Sequence, residues 1–482
     1  MPKHPKHNSK RSHKKSPPAK AKPVQRPMKP SAPPAALDEL RTDGGGFLTL
    51  LLNRIGWGEL NELQQRRHAA GRPAQTLSRG QLLAAILFHY TVTWAGTFGE
   101  HLFWLLGIKT TESNLSERRQ ALPFAVFQEL LQRVLRPLDA PCAQAFYLGL
   151  RLVGVDGVSY SMANTEQVKQ RGKKGGNKKG LNPFAKVQCA ALVELVMHNP
   201  LAACLGWSGE SEWKLAQGVL DHLPPQCLLL ADRLYGCGAF LTAAWERLKK
   251  CQGHFLVRVK QGLKIRRVIK TLADGSRIVE INVTDPNNRR QVVGTMKVRE
   301  IQATLHRNGH RAVKLRLWTS LLDCGQAPAQ ELVELYATRW EQELYFRELK
   351  RELKLNNLLH SQTPETAAQE VVAMIIGSSL IAEERSKLKP GEDLSHRISF
   401  IKVWETLEPL WLTLLLGADI LTETQKQQLC ERYYKLAATR AMEKKRSRSC
   451  PRALRQPNQP WPKKRDQQGS TAPLQIAIVA IP

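Results

Sequence analysis

Residues 336–354 read YATRWEQELYFRELKRELK, a run of good helix formers without Gly or Pro, which predicts one uninterrupted helix. At 100° per residue, four side chains of this helix fall within a wedge of roughly 60°, namely Tyr336, Arg339, Glu343 and Lys350. An ordinary amphipathic helix would carry Leu and Ile on that face. Taken alone, the polar face indicates a surface helix that is held by i,i+4 ion pairs.

The charge of the chain points to a polyanionic partner. The 482 residues include 72 Lys or Arg against 42 Asp or Glu, which gives a net charge of +30. Ten of the basic residues lie in the first 35 positions, so the remaining 62 still outnumber the acids. A folded body with this excess predicts binding to nucleic acid.

Composition divides the chain into four regions. Residues 1–37 predict a disordered basic tail, and residues 38–140 predict a helical domain. Residues 141–390 predict an α/β domain with a β-rich insertion at about 245–320, followed by a helical region with a basic tail at 391–482. No signal peptide or membrane span is expected, so the protein is predicted to be soluble and intracellular.

Several reaction classes lack their motifs in this sequence. The nine Cys form no CxxC pair, and the 13 His form no HExxH pair, which argues against a zinc site. There is no GxxxxGK[ST] loop, no GxGxxG after a strand and no GxSxG elbow. Coupling to ATP, dinucleotide chemistry and serine hydrolysis are therefore not indicated.

Two Asp residues stand where predicted strands end. Asp156 follows LVGV and Asp232 follows CLLLA, the positions at which ligand sites gather in α/β folds. Glu343 of the polar helix face is a third carboxylate that could reach the same point. Converging carboxylates need a cation, and Mg²⁺ or Mn²⁺ suits oxygen ligands. Two such ions promote phosphodiester displacement, which predicts an enzyme that cuts or joins nucleic acid.

Two basic segments have alternative interpretations. Residues 166–186 contain seven Lys or Arg, among them Lys173 and Lys174, and form either a solvated loop or, as we favour, a phosphate-tracking loop. TESNLSERRQALPF predicts a short helix with Ser113 or Asn114 as its cap. Its two arginines, at 118 and 119, belong either to a solvated face or to a DNA-contacting helix.

The acidic and basic residues together resemble a known family. Tyr336, Arg339, Glu343 and Lys350 reproduce the Tyr-x2-Arg-x3-Glu-x6-Lys signature of bacterial DDE transposases of the insertion-sequence-4 group. VDGVSY resembles the segment of the first catalytic Asp in that group, and GESEWKLAQGVLDHLPPQCLLLADRLYG resembles the segment that leads to the second. The resemblance covers roughly residues 110–390.

This resemblance implies an RNase H-like mixed-sheet core with a β-rich insertion, preceded and followed by helical regions. It implies that Asp156, Asp232 and Glu343 hold two Mg²⁺ ions, for which Mn²⁺ can substitute. Water would cut the ends of the element, and the freed 3′-hydroxyl would attack target DNA by cut-and-paste transposition. Several family members pass through a hairpin intermediate.

The resemblance also implies partners and contacts. The partners are double-stranded DNA, both terminal inverted repeats and target, and a second copy in a synaptic complex, with no small-molecule substrate and no membrane. The helical domain at 38–140 would bind the DNA ends, and the protein would act in the bacterial cytoplasm at the nucleoid. The residues expected to contact DNA phosphates are Tyr336, Arg339, Lys350 and Arg258.

Some family members hold a flipped base with a Trp of the insertion. Here the aligned position is Leu315, and Trp318, three residues on, lies on the outward face of the predicted half-buried strand 313–318. Two other functions remain open. One is a decayed transposase that only binds DNA, and the other is a metal-dependent nuclease without strand transfer.

Overall fold

The structure is a computed structural model. It describes residues 46–63, 77–139, 141–171, 176–177, 180–181, 184–207, 210–288, 290–306, 312–351, 359–388, 398–439 and 475–479. The predicted disordered tail at 1–37, the loop residues Lys173 and Lys174, and most of the basic tail after 440 lie outside these residues.

Helices and strands alternate through the middle of the chain and give way to helices at both ends. The helices are α1 Phe47–Leu52, α2 Trp57–Glu62, α3 Arg79–Thr91, α4 Phe98–Leu106, α5 Glu112–Gln120, α6 Phe124–Val134, α7 Glu166–Arg171, α8 Glu212–Val219, α9 Gly238–Lys250, α10 Ala329–Tyr336, α11 Trp340–Arg351, α12 Pro364–Lys387, α13 Phe400–Leu416 and α14 Glu423–Ala438. The strands are β1 Phe146–Tyr147, β2 Leu150–Ser161, β3 Gly176–Asn177, β4 Gly180–Leu181, β5 Lys186–Glu194, β6 Asn199–Trp207, β7 Cys227–Ala231, β8 His254–Arg258, β9 Arg267–Thr271, β10 Arg277–Thr284, β11 Val292–His306, β12 Val313–Thr319 and β13 Gln475–Ile478. Three-residue 3-10 turns lie at Ala143–Ala145, Leu220–His222 and Ala337–Arg339.

One large mixed sheet organises the described part of the chain. Eleven strands belong to it, in the order β6-β5-β2-β7-β8-β12-β11-β10-β9, with β1 paired to β2 and β13 paired to β11. The central pairs β2·β7 and β7·β8 are parallel, and the flanking pairs are antiparallel. Strand β7 reads CLLLA and is buried throughout, as expected for a parallel strand covered on both faces. The predicted mixed-sheet fold with flanking helices is confirmed.

The strands of the predicted insertion extend this sheet. β12 pairs with β8 on one side and with β11 on the other, so the insertion continues the core sheet directly. The prediction of a half-buried strand at 313–318 is wrong, because Leu315 to Thr319 are all buried. Leu315 packs with α10 on one face, whereas Trp318 packs with α9 on the other, so both faces of β12 are covered.

The flanking helices bury both faces of the sheet. Helices α8 and α9 cover one face, and α10 packs on the opposite face. The terminal helices α3, α6 and α13 surround α12, which is hydrophobic on all sides. Helix α12 is long and apolar enough to cross a membrane, but 94% of its apolar window is buried inside the protein. It is therefore the core helix of this layer.

The short basic helix α5 is bound to the protein through its arginines. Its N-cap is Thr111 rather than the predicted Ser113 or Asn114, because Thr111 Oγ1 accepts from the main-chain N–H of Asn114 at 3.3 Å. Arg119 donates to Gln369 at 3.2 Å on α12, and Arg118 donates to the carbonyl of Leu77 at 2.7 Å. Both guanidinium groups therefore serve packing in this structure, which favours neither of the two sequence interpretations.

Candidate active site

Two of the predicted carboxylates, Asp156 and Asp232, are neighbours on adjacent central strands of the sheet. Strands β2 and β7 run parallel, and their register pairs Val155 with Ala231. Asp156 follows Val155, and Asp232 follows Ala231. The parallel register therefore places Asp156 beside the end of β7, next to Asp232. The prediction that a strand ends at Asp156 is wrong, because β2 continues to Ser161 in its pairing with β5, whereas β7 does end before Asp232.

Helix α11 brings the third carboxylate, that of Glu343, towards Asp156. The guanidinium of Arg339 lies 2.7 Å from Glu343 Oε1 and 3.7 Å from Asp156 Oδ2. Arg339 is thus the cation between a carboxylate of β2 and a carboxylate of α11. Its pKa is raised, because the pairing with Glu343 and other nearby negative groups outweighs the effect of burial, which lowers it.

The predicted uninterrupted helix is wrong at one point. Helix α10 ends at Tyr336, the 3-10 turn Ala337–Arg339 follows, and α11 begins at Trp340. A 3-10 turn has about three residues per turn, so the four signature residues do not form one straight α-helical stripe. The turn separates a buried position, Tyr336, from the half-buried positions Arg339 and Glu343.

Tyr336 has a structural contact where a phosphate contact was expected. Its side chain is 7% exposed, and its hydroxyl donates to the carbonyl of Ala231 at 3.2 Å. Burial raises the pKa of Tyr336 despite the nearby cations Arg339 and Arg258, so the hydroxyl keeps its proton. In this structure Tyr336 therefore fixes α10 to the end of β7, directly before Asp232.

The charges around Asp156 are only partly balanced. Burial raises the pKa of Asp156 to about 6, and the carboxylates of Glu212 and Asp232 act in the same direction. The N–H of Gly157, which donates to Asp156 Oδ1 at 2.9 Å, and the guanidinium of Arg339 act against this rise. The pKa of Asp156 is thus raised mainly by burial, and a bound cation would favour its charged form.

Sequence reasoning missed two residues beside this group. Glu212 is the first residue of α8, and its Oε1 accepts from the hydroxyl of Tyr235 at 2.8 Å. Tyr235 is fully buried. Glu212 begins α8, the helix that follows β6, and β6 runs in the same direction as β2. The start of α8 therefore lies near Asp156, and this order of strand and helix is the signal that could have found Glu212.

The predicted cations Lys350 and Arg258 have different neighbours. Lys350 lies 5.6 Å from the ring centre of Tyr160, and burial together with Lys186 lowers its pKa. Arg258 ends β8, which is paired with β7, and its charge acts on the Tyr336 phenol.

Trp318 cannot hold a flipped base in this structure. It is 1% exposed, and its Nε1 donates to Glu300 at 2.9 Å. Glu300 is also paired with Arg316 at 2.6 Å and with Arg277 at 2.8 Å, so the Trp belongs to a buried polar network. Trp340, by contrast, is 51% exposed at the start of α11 and adjoins Arg339.

The donor set suits a hard divalent cation. The candidate ligands Asp156, Asp232 and Glu343 offer carboxylate oxygens only, which Mg²⁺ and Mn²⁺ prefer. Among the residues that the structure describes, no three His, Cys, Asp or Glu lie close enough together to form a ready metal cluster. The oxygen ligands fit a divalent ion, whereas in this structure Arg339 is the cation between Asp156 and Glu343.

Part of the chain is similar to known transposases. Residues 149–378 match the family model described as the transposase DDE domain. The transposase InsG of insertion sequence element IS4 from Escherichia coli strain K12 is 28% identical over 246 residues, which are 50% of this chain and 54% of that protein. The chain thus spans about half the length of the curated relative that it matches. The range matched by the family model contains all three candidate carboxylates.

Proposed function

We propose that the whole chain is a transposase that moves an insertion sequence by metal-dependent DNA strand cleavage and strand transfer, since residues 149–378 match the family model of the transposase DDE domain. The observation that carries this proposal is the meeting of three acidic elements. The parallel register of β2 and β7 aligns Asp156 with Asp232, and Arg339 links Asp156 to Glu343.

Domains of this family use divalent metal ions, and we assign Mg²⁺ here, two ions per site, with Mn²⁺ as a substitute. Asp156, Asp232 and Glu343 would hold them. When bound, such ions activate the attacking oxygen and stabilise the leaving oxygen of a phosphodiester. Tyr336 holds α10 to the end of β7, and the Gly157 N–H donates to Asp156 Oδ1 and so orients that carboxylate.

The basic residues would position the DNA. The planar guanidinium of Arg339 matches the geometry of a phosphate group and could exchange its carboxylate partners for one. Burial lowers the pKa of Lys350 and the charge of Lys186 acts in the same direction, so a phosphate beside Lys350 would favour its charged form. We keep Arg258, Lys173 and Lys174 as proposed phosphate contacts.

The proposed partners are double-stranded terminal repeats, target DNA and a second copy of the chain in a synaptic complex. The helical amino-terminal region would bind the DNA ends, and the reaction would take place in the cytoplasm at the nucleoid. The exposed ring of Trp340 next to Arg339 is the Trp of this region that can stack on a base, because stacking requires an open ring face.

One reaction tests the proposal against both alternatives. The purified chain is incubated with Mg²⁺, a labelled DNA fragment that carries the flanking terminal repeats, and a target plasmid. A transposase gives cleaved ends and joined products, and neither forms in EDTA. Cleaved ends without joined products would indicate a nuclease, and binding without cleavage would indicate a decayed transposase that only binds DNA.

We expect Lys350→Ala and Arg339→Ala each to weaken the complex with the terminal repeats and to lower the slope of log K against log salt by about one, because each removes one phosphate contact. Arg347→Ala is the matched control, since Arg347 is an exposed cation on the same helix. The measurement is a gel-shift titration at several salt concentrations without metal. A slope equal to that of the unmodified protein would contradict the phosphate contact.

A further inference from the structure

Glu212 lies beside the candidate active site although it belongs to none of the three predicted positions. It begins α8, which packs on the face of the sheet opposite to α10 and α11. Its charge acts on Asp156 together with that of Asp232. Helix α8 therefore supplies the site with a carboxylate that approaches from the other side of β2.

Two contacts hold this carboxylate in place. The hydroxyl of Tyr235, a fully buried residue three positions after Asp232, donates to Glu212 Oε1 at 2.8 Å. The side chain of Glu212 also packs directly against the main chain of Gly157. A Cβ atom at Gly157 would lie 2.2 Å from Glu212 Cδ, so any larger residue there would displace the Glu212 carboxylate. Gly157, directly after Asp156, and Tyr235, three residues after Asp232, thus both accommodate Glu212.

Packing alone does not account for a carboxylate at this position. Tyr235 needs only an acceptor, which a Gln amide oxygen would supply at the same length. A second carboxylate beside the buried Asp156 carries an electrostatic cost unless a cation is present. The charge of Glu212 is therefore the part of the side chain that needs an explanation.

We infer that Glu212, held by Tyr235, is a fourth carboxylate of the site and a positioning residue that strengthens the hold of Asp156 and its partners on a divalent cation. This inference rests on the proposed function, because it assumes that Asp156 is a metal ligand. Residues around the direct ligands commonly contribute about ten- to a hundredfold to metal affinity.

The test measures Mn²⁺ binding to the full chain without DNA, by the electron paramagnetic resonance signal of free Mn²⁺. We expect Glu212→Gln to weaken Mn²⁺ binding about tenfold, because the amide keeps the bond to Tyr235 and loses only the charge. Tyr235→Phe should weaken binding by a smaller factor, because the carboxylate remains but loses its donor. Glu210→Gln, an exposed acid two residues earlier, should bind Mn²⁺ like the unmodified protein.

Thermal melting of each variant without metal separates a loss of fold from a loss of affinity. A Glu212→Gln protein that melts like the unmodified chain and binds Mn²⁺ equally well would overturn the inference. If Glu212→Gln does not fold, Tyr235→Phe decides, and unchanged Mn²⁺ affinity in that variant would overturn the inference in the same way.

Asp156→Asn distinguishes this inference from the proposed function. Loss of Mn²⁺ binding in Asp156→Asn with no change in Glu212→Gln would leave the proposed metal site standing and remove Glu212 from it. Full Mn²⁺ binding in Asp156→Asn would instead contradict the assignment of the metal site, and the inference with it.

Discussion

Replacing Asp156, Asp232 or Glu343 by Ala should lower Mg²⁺-dependent cleavage of the terminal DNA by on the order of a thousandfold or more, because each change removes an oxygen ligand and a negative charge from one site. Binding to the same DNA should persist or tighten, since a carboxylate near a phosphate repels it. The measurement compares single-turnover cleavage with gel-shift affinity for each variant.

Asp156→Asn is the sharper form of this experiment. The amide oxygen can still accept from the N–H of Gly157, a bond of 2.9 Å in the structure, so the end of β2 keeps its geometry while the charge is lost. Glu334→Ala is the matched control, because Glu334 is an exposed acid on α10, close in sequence to Glu343. Cleavage at the normal rate by any of the three site variants would refute the assignment of that residue.

The sequence predicted that both Asp residues follow the end of a strand, and the structure shows this for Asp232 only. Strand β2 continues from Asp156 to Ser161 because it pairs with β5, and a short apolar run does not reveal such a partner. The assignment of Glu343 came from its resemblance to a family signature, because the helix alone was compatible with surface ion pairs. The structure adds the link between these elements, which is the guanidinium of Arg339.

Two sequence predictions are wrong for the same physical reason, namely the uninterrupted helix at 336–354 and the outward-facing Trp318. In both cases the outcome depends on contacts between segments that are distant in sequence. The turn Ala337–Arg339 contains no Gly or Pro that would have predicted a break in the helix. It directly follows Tyr336, whose hydroxyl contacts the end of β7. Trp318 was expected to face outward because Leu and charged residues alternate in β12. The strand lies inside the sheet, however, so Arg316 and Trp318 are buried against Glu300. Local periodicity does not reveal such a neighbour.

Helix α11 is held by a buried cluster of ionisable side chains that no sequence motif predicted. His198, in the turn between β5 and β6, bonds to Glu348 at 2.6 Å through Nδ1 and to Glu341 at 3.0 Å through Nε2. All three side chains are buried. Both glutamates belong to α11, the helix that carries Glu343, so this cluster fixes the position of α11 against the sheet.

The charge on His198 follows from its partners. Burial lowers the pKa of His198, and so does Arg385 on α12, but the carboxylates of Glu348 and Glu341 outweigh both and raise it above its ordinary value. A histidine with a raised pKa in the folded state contributes stability that is fully present below the pKa of the unfolded state. That stability is lost as the pH rises through the pKa of the folded state.

We therefore expect His198→Gln to lower the free energy of unfolding by about 3 kcal/mol at pH 6, because one buried cation between two carboxylates is lost. The difference between the unmodified and variant proteins should narrow as the pH rises from about 6.5, the ordinary pKa of His, towards 9, with a limiting slope of about 1.4 kcal/mol per pH unit. Urea unfolding across this range measures it, and His222→Gln is the control at a less buried histidine. A difference that stays constant with pH would show that His198 is neutral in the folded protein, so that it holds α11 by hydrogen bonds alone.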